Sequence, residues 1–130
     1  MIEFEEYKGK LNGLKPTLDA LRDALHLEAA EKEIEELEGQ SARDGFWNDV
    51  ENSQRVQKRL KQLKTKVENY EKLCSGWDDL MTLCEMAIEE DDDSMLPELQ
   101  SEYAEFEKKL EETRLGTLLT CLLYTSDAAD

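Results

Sequence analysis

The sequence predicts an all-α protein, an antiparallel helical bundle whose longest part is a coiled-coil hairpin. Two observations carry that prediction. Apolar residues recur at alternating steps of three and four along most of the 130 positions, the period of a single helix face. The longest such series ends in a short acidic stretch and is followed by a second series of the same period, so the two arms fold back on one another.

The first helix rests on Phe4, Tyr7, Leu11, Leu14, Leu18, Leu21 and Leu25. Gly9, Gly13 and Pro16 lie inside it and lower its intrinsic propensity, so packing against neighbours must hold it, with a kink near Pro16. His26 is read as a helix-end or junction residue. A second helix spans about 27–38 on Leu27, Ala30, Ile34 and Leu37, with Gly39 as its stop. The period then disappears into a polar connector that ends in Phe46 and Trp47, read as a hydrophobic plug. Asn48, with Glu51 three residues on, has the form of a helix cap with a reciprocal partner.

The next helix is the strongest feature, because Val56, Leu60, Leu63, Val67, Tyr70, Cys74, Trp77, Met81, Cys84 and Ile88 keep the alternation without a miss. It predicts about forty helical residues, and the seam stays in phase across Ser75 and Gly76. The acidic run Glu89 to Asp93 marks a turn, Ser94 is a cap, and Pro97 suits the first turn of a last helix with Leu99, Tyr103, Phe106 and Leu110 on its seam.

Composition limits function. With 32 acids against 16 bases the formal charge is −16, which repels nucleic-acid phosphates and anionic membrane surfaces unless the cations gather on one face. No stretch approaches the roughly 20 apolar residues of a spanning helix, and the N-terminus lacks the basic start and apolar run of a secretion signal, so a soluble cytoplasmic protein without membrane partners is expected. Three cysteines and one histidine without metal-ligand spacing predict no metal, no cofactor and no nucleophile–base set, hence no enzyme. Glu89–Asp93 lacks the glycine and alternating oxygens of a calcium loop, and Met81, Met86 and Met95 are read as core filling.

Charge is divided along the chain. Residues 55–72 hold seven cations and two acids, whereas residues 85–112 hold twelve acids and two lysines. The cations either pair with the acidic arm and solvent, or Arg55, Lys58, Arg59, Lys61, Lys64 and Lys66 form a strip that contacts RNA or an acidic protein.

Several strings then fall together: Met1-Ile2-Glu3-Phe4, Leu25-His26-Leu27-Glu28-Ala29-Ala30, Gly45-Phe46-Trp47-Asn48-Asp49 and Arg114-Leu115-Gly116-Thr117-Leu118-Leu119. In that order and spacing residues 1–120 resemble the N-terminal helical domain of bacterial peptide chain release factors. The Phe-Trp-Asn string points to factor 2 more than to factor 1. The resemblance implies a fragment of a translation termination factor that acts on the ribosome at UAA and UGA. It implies that this domain docks at the stalk base of the large subunit, while the stop codon and peptidyl-tRNA are met through other domains. The family's Ser-Pro-Phe and Gly-Gly-Gln strings do not occur in these 130 residues, so no decoding or hydrolytic residue carries over. The alternative is an acidic coiled-coil module that binds partner helices. Residues 121–130 depart from the family pattern, and their back-translation resembles a transposase mosaic-end adapter, which predicts a non-native tail.

Overall fold

The structure is a computed structural model that describes the backbone of residues 2–129 and the side chains of residues 2–119. The adapter-like tail expected over 121–130 lies outside the residues whose side chains are described. Four helices account for the fold: α1 (Ile2–Ala24), α2 (Leu27–Ser41), α3 (Val50–Glu90) and α4 (Leu96–Ala129). The architecture is all-α, as the period of the sequence predicts, with no strand among the described residues.

Local chemistry sets the ends of these helices. His26 stands between α1 and α2 with φ 55°, in the left-handed region, and its carbonyl accepts the Ala30 amide at 2.9 Å. It is the junction residue the sequence reading expected. The second helix runs past Gly39 to Ser41, because a mid-helix glycine costs only about 1 kcal/mol and the Ser41 hydroxyl closes the last turn onto the Leu37 carbonyl at 3.0 Å. Asp49, not Asn48, caps α3, since its Oδ1 accepts the Asn52 amide at 3.1 Å.

At the other end of α3 the Asp92 amide reaches the Ala87 carbonyl at 3.0 Å and the Asp91 amide reaches Ile88 at 3.3 Å. With Asp91 at φ 53°, this is the Schellman arrangement that closes a helix, made here by an aspartate where glycine is usual. Asp92 rather than Ser94 then caps the short turn of 3₁₀ helix over Asp93–Met95. Its carboxylate accepts the Ser94 amide at 2.9 Å as well as the Ser94 hydroxyl, and these bonds hold it below the usual carboxylate range. Pro97 falls in the first turn of α4, as predicted.

The chain forms two compact units, one of Met1–Ala24 with Leu73–Asp130, the other of Leu25–Lys72. Acids outnumber bases by 21 to 7 in the first and by 11 to 9 in the second, so −14 of the −16 charge belongs to the first unit and −2 to the second. An even spread of charge is therefore excluded.

In the first unit α1 and α4 run parallel, since Tyr7 meets Tyr103 edge to face at 5.1 Å and Leu14 shares a groove with Leu110 one heptad further along both helices. The last part of α3 runs antiparallel to both. Lys8 reaches Glu85, the Trp77 indole donates to the Leu11 carbonyl at 2.6 Å, and a Cβ at Gly76 would meet the Phe106 ring at 3.4 Å. The hairpin of α3 and α4 predicted from the seam is thus present here.

The buried set is Phe4, Leu11, Leu18 and Leu21 from α1, Leu73, Leu80, Cys84 and Ala87 from α3, and Leu99, Tyr103, Phe106 and Leu110 from α4. Predicted seam members Cys74, Trp77, Met81 and Ile88 are only half-buried. The reason is that α3 packs against both α1 and α4 here, which centres its buried face on Leu73, Leu80 and Ala87 and leaves the predicted members along one edge of it. Desolvation raises the Cys84 thiol, and it pushes the Tyr103 phenol, which has Glu107 nearby, up to about 12.

In the second unit Phe46, Val56 and Leu60 form the core, with Ile34 and Leu37 packed against it. Gly45, at φ 83°, starts a single turn of 3₁₀ helix over Phe46–Asn48. Phe46 is buried by it, but Trp47 is 62% exposed, so the predicted two-residue plug is a one-residue plug. Adjacent side chains of a 3₁₀ turn diverge by about 120°, so with Phe46 in the core Trp47 points away from it.

Candidate functional site

The six cations singled out from the sequence all lie on the first half of α3, within the second unit, and helix geometry spreads them around it. At about 100° per residue, Arg55, Arg59 and Lys66 share one flank of the buried stripe of Val56, Leu60 and Leu63, Lys64 takes the other flank, and Lys58 and Lys61 face away.

Arg55, Arg59 and Lys64 are bonded inside the unit. Arg59 grips Glu33 of α2 with both arms of its guanidinium, Nε to Oε2 at 2.7 Å and Nη2 to Oε1 at 3.0 Å. This fork is the geometry that makes an arginine–carboxylate pair directional. The hydrogen bonds from Arg59 hold the Glu33 carboxyl below the usual range, with a smaller contribution from the charge of Lys66, and they raise the guanidinium in turn. Lys64 reaches Glu38 at 3.4 Å. Arg55 donates from Nη2 to the Asn52 side chain at 2.7 Å. Lys58 and Lys61 are exposed on the outer face.

Residues 33, 38 and 41 of α2 bond to 59, 64 and 57 of α3, and the two contacts on one flank, 38 to 64 and 41 to 57, run in antiparallel order. These contacts correct the expected pairing of the basic stretch with the acidic residues 85–112. The hairpin turns at Asp91–Met95 and sets position 76 beside 106, so the acidic arm runs alongside the later part of α3; Arg59 and Lys64 find their carboxylates on α2 instead, and Lys58 and Lys61 face solvent.

Elsewhere the surface offers little chemistry. The groove between α1 and α4 has an apolar floor of Leu14, Ala104 and Leu110 with Glu107, Lys108, Glu111 and Arg114 at its rim. No three His, Cys, Asp or Glu side chains converge as a metal set among the described residues. No described helix is long and apolar enough to cross a membrane. The residue that sequence reasoning misplaced is Trp47, whose indole stands edge-on to the Phe46 ring at 4.9 Å and projects outward. The one signal of this in the sequence was the adjacency of the two aromatics.

Comparison with known proteins gives the surface its context. The PCRF domain model matches residues 30–130. The chain is 36% identical over 110 residues to a protein named peptide chain release factor 2 from Acidothermus cellulolyticus, an alignment that covers 85% of this chain and 30% of the relative. It is 30% identical over 120 residues to that of Petrotoga mobilis, covering 92% and 32%, and 32% identical over 127 residues to that of Clostridium perfringens, covering 98% and 35%. The chain thus spans about a third of the length of the curated relatives it matches. With a family match over most of its residues and relatives that share one name, the chain belongs to the PCRF domain family and is a relative of peptide chain release factor 2.

Proposed function

We propose that residues 1–120 are the ribosome-docking part of a cytoplasmic translation termination factor that reads UAA and UGA, meeting the large subunit at its stalk base. The observation that carries this reading is the family match over 30–130 joined to relatives named peptide chain release factor 2. Stop-codon reading and hydrolysis of peptidyl-tRNA belong to segments that carry Ser-Pro-Phe and Gly-Gly-Gln, strings these 130 residues do not contain, so the chain is not itself an enzyme.

The contact surface on the first half of α3 divides in two. Lys58 and Lys61, exposed on the outer face, approach the ribosome directly, while Arg59 and Lys64 brace α2 through Glu33 and Glu38. The competing reading, an acidic module that binds partner helices through its seam, finds less support. Leu63 and Tyr103, one on each predicted arm, are 3% and 8% exposed within the chain itself, so neither position has room for a partner.

A direct test uses ribosomes stalled with peptidyl-tRNA at a stop codon. The chain should cosediment with them and release no peptide above background. Stop-codon-dependent release by this chain alone would overturn the division of labour, and absence of cosedimentation would overturn the docking role.

A further inference from the structure

We infer that Arg55, Lys58 and Lys61, with Gln54, Gln62 and Thr65 among them, form a face of α3 that binds the phosphate backbone of ribosomal RNA without reading its bases. This rests on the docking role proposed above and names the chemical partner of the surface which that role uses.

A chain of net charge −16 presents such a face because the charges of the Leu25–Lys72 unit are sorted by side. No Asp or Glu occurs from position 52 to 67. At about 100° per residue the six named side chains occupy the side of α3 opposite Val56, Leu60 and Leu63, with Arg55 at its edge, and all six are exposed. Acids resume only at its two ends, with Glu51 before it and Glu68 and Glu71 after it; the connector ahead of Glu51 carries Arg43, Asp44 and Asp49, all exposed.

The carboxylates of α2 lie on the other side. That helix packs on the core through Ile34 and Leu37, its Glu33 and Glu38 hold Arg59 and Lys64, and Glu31 shares the flank of Glu38. Glu28, Glu35 and Glu36 are exposed on the face of α2 turned away from that core, and therefore away from α3. The body of α3, about 10 Å across, separates them from the lysines, which exceeds the screening length of about 8 Å at physiological salt. Within the face the charges are unspent. Lys58 and Lys61 make no ion pair among the described residues, and the Asn52 side-chain oxygen that accepts from Arg55 is neutral, so the guanidinium keeps its full charge.

The composition of the face selects the partner. Lysine and arginine interspersed with amide and hydroxyl donors is the set that phosphate oxygens take, and such contacts position a nucleic acid without reading its sequence. None of the six is aromatic, so no base has a surface to stack on. None is aliphatic either, whereas the core of a protein interface is apolar and poor in lysine, so an RNA backbone is favoured over an acidic protein.

The experiment uses the full chain and purified 70S ribosomes, with binding measured by cosedimentation from about 50 to about 200 mM KCl, the range over which phosphate contacts weaken steeply. The unchanged chain is compared with Lys58→Gln/Lys61→Gln and with a charge-matched control, Lys32→Gln/Lys109→Gln, each checked by far-UV circular dichroism. With two phosphate contacts and their released counterions gone, Lys58→Gln/Lys61→Gln should bind about twenty-fold more weakly near 100 mM salt, and its plot of log affinity against log salt should be shallower by about 1.5. The control should match the unchanged chain. A chain with p-azidophenylalanine at position 65, irradiated in the complex, should give adducts that ribonuclease digests. If the unchanged chain binds and Lys58→Gln/Lys61→Gln keeps its affinity and salt slope, or if the control loses as much, the face is refuted while the docking role stands. Adducts to a ribosomal protein overturn the stated partner. If the unchanged chain binds at no salt concentration, the face falls together with the docking role beneath it.

Discussion

Glu33 and Arg59 illustrate how much of this surface depends on single contacts between residues far apart in sequence. Each lies among like-charged neighbours that helical period alone assigns to solvent, and the fork between them exists only because α2 packs against α3 at that point. Because the folded carboxyl is lowered, the pair contributes its stabilisation above the unfolded carboxyl pKa and loses it as pH falls through the lowered folded value. An NMR titration of the side-chain carboxyls should therefore show Glu33 turning over at lower pH than an ordinary glutamate. In Arg59→Ala it should return towards the ordinary range; an unchanged Glu33 titration in that variant would show that the fork does not form in solution. The sequence showed that residues 55–72 were basic, but which cations are engaged depends on where α2 packs against α3.

At the scale of elements, the helices were legible and their ends only partly so. Period alone placed all four, because a one-sided apolar stripe has few other ways to be buried. The end signals were ambiguous. Asn48 and Asp49 are both good caps, and only the backbone shows that the latter receives the Asn52 amide. Gly39 reads as a stop but is carried through, since its small cost is outweighed by continuing the helix over the connector. Asp91 is a residue out of its preferred conformation, a non-glycine at φ 53° in the closing position of α3. Asp91→Gly should raise stability by about 1 kcal/mol, read as an upward shift of the thermal midpoint by circular dichroism, because glycine reaches the left-handed region without the side-chain penalty. A lower midpoint would mean that the Asp91 side chain supplies a contact worth more than the strain.

For the molecule as a whole, the two arms of the seam make a prediction that separates an internal core from a binding face. Leu63→Asp and Tyr103→Asp each place a carboxylate at a position 3% and 8% exposed, so each should cost at least about 3 kcal/mol and remove much of the helical signal at room temperature. Variants that stay folded monomers and lose only association with a partner would favour the interaction-module reading instead. The distribution of charge belongs to this scale too. The total of −16 argued against contact with RNA, but all except −2 of it lies in the unit of Met1–Ala24 and Leu73–Asp130, and the Leu25–Lys72 unit is close to balanced. Net charge is a property of the chain; the field a partner meets is that of a surface.

The sequence by itself determined the helical class, the four helices and the family, since period and motif are local and survive without knowledge of contacts. Tertiary structure alone decided which of two adjacent aromatics enters the core, which carboxylates answer the basic residues of α3, and where the buried face of α3 is centred. Each of those depends on which helix arrives at a given point and from what direction, and a single helical period, repeated alike on every element, does not carry that information.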